Sequence, residues 1–253
     1  MSRPTIDRRA VLAGFAGALA APAFGRPGAP AIKAIAFDGF TVLDPRGVNA
    51  RARLLLGERG DALVAQWSAK LFGYSWLETS AGRYADFRTL ADASLRYVGE
   101  SMKMPLDART RDELVDAYDA LDLWPDVKPA LASLRSAGIR LAFLSNLGIH
   151  TLNANMLRNG IAHYFEAPLS TDMVRRFKPA PEAYGMAMRA FGLPRSEIGF
   201  AAFGGWDAAG ASWFGYRTAW INRFDLPQEP LDVQPAIVTR GFEGVLTLAR
   251  PRG

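Results

Sequence analysis

The chain has no cysteine and two histidines, His150 and His163, in 253 residues. Without cysteine there are no disulfides, thiolate nucleophiles, iron–sulfur clusters or sulfur-ligated zinc sites. Two imidazoles exclude a three-histidine metal centre and an HExxH helix, and a Ser-His-Asp triad would have to use one of this pair. Beyond the first thirty residues no apolar run reaches the ~18 residues of a membrane helix, so no stable membrane insertion is expected of the mature chain. No Arg/Lys cluster is interleaved with spaced aromatics, and nucleic acid is not an expected partner. Carboxylate and lysine chemistry is what remains.

The formal charge of +5 is uneven, because Arg3, Arg8, Arg9 and Arg26 face Asp7 alone in residues 1–30. That segment pairs Arg8-Arg9 with an Ala/Gly-rich apolar run and a small-x-small step at Ala18-Leu19-Ala20. It resembles a twin-arginine export signal, which would place the mature protein in the periplasm; a basic tail on a cytoplasmic protein is the alternative. The remaining length, with 49% hydrophobic residues overall, suffices for one buried domain or a core with an insert.

Residues 32–37 form an apolar run that empties into Asp38-Gly39, as a buried strand does before a functional loop. From Val48 to about Leu123 the apolar spacing is helical, with breaks near Gly57–Gly60, Gly82 and Gly99–Pro105, and Trp67, Leu71 and Tyr74 share a face. After Trp124-Pro125 helix and strand alternate, with strands expected at 139–144, 165–170, 198–203 and 218–222. Helices are expected at 127–136, 151–158, 181–191, after Gly204-Gly205-Trp206-Asp207 through Trp213, and from about 242 to 248, with Ile237-Val238 behind a Pro-rich loop. This grammar predicts an α/β fold, a doubly wound, mostly parallel sheet. Residues 31–47 and 124–253 would form the core, and 48–123 an inserted helical cap. Asp38, Ser145, Lys178 and Asp207 all fall at or near carboxyl ends of core strands, where open α/β folds bind ligands.

The segments AFDGF at 36–40, LSN at 144–146, FKPAPEAY at 177–184 and GGWDAAGASWFGYRTAWINR at 204–223 resemble the haloacid dehalogenase superfamily. With YSWLETSAGRYADF at 74–87 they resemble its L-2-haloacid dehalogenase branch. The resemblance spans residues 32 to about 223. It implies a metal-independent hydrolase in which a carboxylate displaces halide from a small 2-haloalkanoic acid. Water then cleaves the ester intermediate, and no cofactor is involved. Asp38 would be the nucleophile, Lys178 its partner, Asp207 the neighbour that positions Lys178 or water, and Ser145 the holder of the substrate carboxylate. Phe40, Phe72, Phe87 and Trp206 would wall the carbon–halogen bond; Thr41, Asn146 and Tyr184 would complete the substrate site. A homodimer is a further implication. Superfamily phosphatases carry a second Asp two residues after the nucleophile and a magnesium ligand four residues before the last motif Asp. Here those positions are Phe40 and Phe203, which neither transfer a proton nor ligate a hard cation.

Some positions depart from the branch. Ser68 stands where its cap has an arginine, and Lys70, two positions on, points elsewhere on the helix. Thr41-Val42 stands for a Gly-Thr pair, and Ala202 and Gly204 stand for a serine and an asparagine. The alternatives are therefore a related hydrolase of a non-halogenated substrate, or a catalytically impaired ligand-binding or structural homologue. His150 and His163 are expected to be polar surface residues.

Overall fold

The computed structural model describes residues 31–250; the leader expected at residues 1–30 lies outside the described residues. Strand β1 (Ala34–Phe37) is buried on both faces, as its uninterrupted apolar sequence requires of a central parallel strand. It leads through a single turn, α1 (Gly39–Val42), into four helices: α2 (Arg46–Leu56), α3 (Arg59–Ser80), α4 (Phe87–Ser101) and α5 (Ala108–Asp116). These form the cap. Asp86 and Asp107 start α4 and α5 by accepting the amide N–H of Thr89 and Thr110, satisfying donors that a helix start leaves open. Trp67, on α3, is fully buried and donates its indole N–H to the Ala91 carbonyl of α4 at 2.9 Å.

The chain then alternates: α6 (Val127–Ser136), β2 (Arg140–Ser145), α7 (Ile149–Arg158), β3 (Leu169–Ser170), α8 (Pro181–Phe191), β4 (Ile198–Ala202), α9 (Gly205–Phe214), β5 (Arg217–Ile221), β6 (Ile237–Thr239) and α10 (Glu243–Ala249). The strands form one parallel sheet in the order β3-β2-β1-β4-β5-β6. Phe37 is in register with Phe143 on one side and Ala201 on the other. Alternation sends Ile35 and Phe37 into the layer with Phe143, Leu131 and Phe242, and Ala34 and Ala36 into the layer with Tyr184 and Phe200. The order of the strands reverses at β1, whose neighbours β2 and β4 depart in opposite directions. The crevice opened there, at the carboxyl ends, is where Asp38 emerges.

Sequence and structure differ modestly. The weak strand expected at 165–170 shrinks to β3, two residues paired with Leu144 and Ser145. Ser145 is the last residue of β2 instead of the first loop residue. No described helix is long and apolar enough to cross a membrane.

Candidate active site

Asp38 is fixed by the backbone on either side of it. Its N–H donates to the Ala201 carbonyl at 2.9 Å, continuing the β1–β4 ladder, and its Oδ2 accepts the Phe40 N–H at 3.0 Å as the cap of α1. Gly39 lets this turn approach β2, since a Cβ there would stand 2.8 Å from Ser145 Oγ. The carboxylate is thereby aimed out of the sheet rather than left to rotate.

Lys178 is wholly buried, and its Nζ donates to Asp38 Oδ1 at 2.6 Å and Asp207 Oδ2 at 2.7 Å. Tyr184, on α8, donates its hydroxyl to the other Asp207 oxygen at 2.7 Å. Gly210 makes that contact possible, because a Cβ would fall 2.5 Å from the Tyr184 hydroxyl. Burial pushes the Asp207 carboxyl up to about 6; Lys178 and Tyr184 pull it down, while the charge on Asp38 adds to the rise. Burial alone would lower Lys178, but the two carboxylates outweigh it and hold the ammonium above its ordinary range. Tyr184 is raised well above 10 by burial and by Asp207, and stays a donor. Buried charge of this kind is tolerable only because each group is paired and hydrogen-bonded.

The Lys178 backbone is held from both layers. Its N–H donates to Asn146 Oδ1 at 3.0 Å, and its carbonyl accepts the Trp76 indole N–H at 3.2 Å. Phe177 N–H donates to Thr79 Oγ1 at 3.1 Å. Trp76 and Thr79 lie at the end of α3, so the cap grips the segment that carries the lysine. Tyr84, stacked on Phe177 at 5.1 Å, donates to Asp172 and ties the cap to the turn after β3.

Over Asp38 lies a cavity of about 400 Å³, of the size that holds a small organic ligand. The core contributes Asp38, Phe40, Ser145, Asn146, Phe203, Gly204 and Trp206; the cap contributes Val64, Ser68, Phe72, Phe87 and Tyr118. Phe72 meets Trp206 edge-on at 5.3 Å, and Phe40 meets Phe203 at 6.0 Å, so the wall above the carboxylate is largely aromatic. Ser145 Oγ accepts the Leu147 N–H at 3.1 Å, leaving its own proton to donate.

Not every residue expected at the substrate lines this cavity. Thr41 is buried and its hydroxyl donates to the Ala201 carbonyl at 3.0 Å; it braces the turn that carries Asp38 and does not line the cavity. Tyr184 lies behind the site on Asp207 and is a support for the carboxylate, not a substrate contact. Ala202 is packed in the layer beneath α8 and α9, whereas Gly204 does line the cavity. Lys178 and Asp207 also stand behind Asp38 rather than on the cavity surface. Lys70 lies over the Tyr97 ring at 3.9 Å, outside the cavity. His150 is exposed, 3.7 Å from Asp119, and His163 rests on the Tyr164 ring.

Residues 29–215 match the family model of haloacid dehalogenase-like hydrolases. The chain belongs to that family. A haloacid dehalogenase-like hydrolase from Pseudomonas sp. (strain YL), an (S)-2-haloacid dehalogenase, is 38% identical to this one over 193 residues, 76% of this chain and 83% of that relative. The crystal structure of the L-2-haloacid dehalogenase RSc1362 superposes with a TM-score of 0.84 at 36% identity, covering 87% of this chain and 99% of the other. The Xanthobacter autotrophicus L-2-haloacid dehalogenase with chloropropionic acid covalently bound gives a TM-score of 0.79 at 27% identity, covering 85% and 98%. In this haloacid dehalogenase-like hydrolase, sequence reasoning missed Trp76 and Thr79 as holders of the lysine segment. Each bonds a residue about a hundred positions away, and no local pattern marks such a partner.

Proposed function

We propose that the protein hydrolyses small 2-haloalkanoic acids through an ester on Asp38, without a metal. The observation that carries this reading is the buried Lys178 ammonium shared between Asp38 and Asp207 beneath an aromatic cavity. Lys178 pairs its ammonium with Asp38 at 2.6 Å, and the apolar wall removes competing water from the attacking oxygen. In the first step an Asp38 oxygen bonds to the carbon bearing the halogen, and the carbon–halogen pair leaves as halide. Ser145 donates to the substrate carboxylate. In the second step water attacks the ester carbonyl of Asp38. One water proton passes by way of Lys178, which bridges Asp38 and Asp207. The other passes from the tetrahedral hydroxyl to the departing alkoxide oxygen, and the Asp38 carboxylate re-forms as the hydroxy acid leaves. Esterification neutralises Asp38 and leaves the Lys178 ammonium to Asp207 alone, while burial still holds the Asp207 carboxyl up.

Incubation with chloro- and bromo-acids, followed by halide detection, tests the reading. The native protein should release halide and Asp38→Asn should not. Full activity in Asp38→Asn contradicts the covalent step, and magnesium-dependent turnover of phosphate esters contradicts the reading of Phe40 and Phe203. Arg8-Arg9 and the apolar run after them support export to the periplasm, tested by cell fractionation with both arginines changed to lysine. The family resemblance supports a homodimer, which light scattering decides.

A further inference from the structure

Asp38, Lys178 and Asp207 together carry one net negative charge, and Glu229 brings another carboxylate to the cavity wall, against Gly205. A haloacid is itself an anion, and so is the halide that leaves. Lys178 does not answer that charge, because it is buried behind Asp38 with its ammonium spent on two carboxylates. Ser68 occupies the cap position that faces the cavity from α3 and is neutral. Among the described residues lining the cavity, Arg46 alone is cationic.

Arg46 is the first residue of α2. Its guanidinium lies over the Trp124 ring, 4.7 Å from the centroid. The same indole donates its N–H to the Phe40 carbonyl at 3.0 Å, so the ring lies against the turn that carries Asp38. Asp44 accepts from Nε at 2.9 Å and from Nη2, which fixes the fork and leaves Nη1 with no hydrogen-bond partner among the described residues. A guanidinium has five donors, so one carboxylate leaves it able to take a second anion. Arg223 lies over the same indole but spends both terminal nitrogens on Asp126, at 2.8 and 2.9 Å, and does not line the cavity.

We infer that Arg46 is the anion-binding residue of this cavity, supplying from the start of α2 the positive charge that Ser68 does not supply from α3. Its ligand is a small monoanion, the carboxylate of the substrate or the departing halide. The inference takes the charge of the substrate from the haloacid reading, and its test does not depend on turnover.

The test is calorimetric binding to Asp38→Asn protein, which leaves the acids intact. 2-Chloropropionate, propionate, bromide and the neutral 2-chloropropionamide are titrated into that variant alone and combined with Arg46→Gln, Arg46→Lys, Asp44→Asn or Arg51→Gln. Arg46→Gln should weaken 2-chloropropionate about ten-fold or more, the scale of a lost hydrogen bond to a charged group, and leave the amide within about two-fold. Arg46→Lys should recover part of the loss, and Asp44→Asn, which frees the guanidinium, should tighten the acid. Arg51→Gln removes a charge from the same helix, where Arg51 pairs with Glu113, and should change nothing. A loss shared by propionate but not bromide places the substrate carboxylate on Arg46; a loss shared by bromide places the halide there. Equal affinity with and without Arg46, an equal loss for the amide, or no anion binding at all overturns the inference. Arg46-dependent binding without halide release by the native protein leaves Arg46 standing and removes the proposed reaction.

Discussion

Replacing Lys178 with methionine keeps most of the side-chain volume and removes the charge that holds two carboxylates together. Lys178 is fully buried and Asp207 nearly so, at 2.7 Å from each other, while Asp38 retains slight exposure at 2.6 Å. Removing one member of a buried ion pair leaves an uncompensated charge and costs about 3–5 kcal/mol. For a domain of this length that lowers Tm by roughly 6–20 °C. The cost should depend on pH in one direction. Without Lys178 the Asp207 carboxyl rises further above its present value of about 6, because the lowering charge is gone while burial and Asp38 remain. At pH 5 it is then protonated and the buried charge disappears. The deficit relative to the native protein should therefore be largest near pH 8 and shrink as pH falls to 5. Urea denaturation at the two pH values measures it. A deficit under about 1 kcal/mol at pH 8, or one that grows as pH falls, refutes the claim that the lysine neutralises two buried carboxylates.

Three further outcomes follow from the same geometry. The acid limb of kcat/KM should lie near pH 6, because below it Asp207 is protonated and loses its hold on Lys178, the partner of Asp38; a limb near 4 contradicts this. The raised carboxyl also favours the protonated native state, so Asp207's own contribution to stability falls as pH rises from about 4 to about 6. Trp76→Phe removes the donor to the Lys178 carbonyl while keeping a ring against Trp206, and should lower kcat about ten-fold with little change in KM. A change in KM alone would assign Trp76 to the substrate instead.

Much of this was legible in the sequence for identifiable reasons. A central parallel strand is apolar throughout, so β1 announced itself, and the first polar residue after it had to be at the sheet's carboxyl edge. Lys178 follows β3 and Asp207 follows β4 within the first turn of α9, and the parallel topology brings the two to one place. Other positions were not legible. Thr41 carries a hydroxyl three residues after Asp38, yet it is the Ala201 carbonyl, 160 residues away, that captures it. The grip of Trp76 and Thr79 on residues 177–178 depends on how the cap docks, which spacing within one helix cannot reveal. Arg46 reads as an ordinary charged residue at a helix start; that it lies over Trp124, whose indole bonds the Phe40 carbonyl, and lines the cavity is set by contacts far away in the chain.

The covalent role of Asp38 is tested most directly by a single turnover of 2-chloropropionate in heavy-oxygen water, followed by mass spectrometry of the peptide that contains Asp38. Hydrolysis of an Asp38 ester places the heavy oxygen in the Asp38 carboxylate and leaves ordinary oxygen in the product of that first turnover. Heavy oxygen found in the first-turnover product, with the Asp38 peptide unchanged, would mean that water attacks the substrate directly.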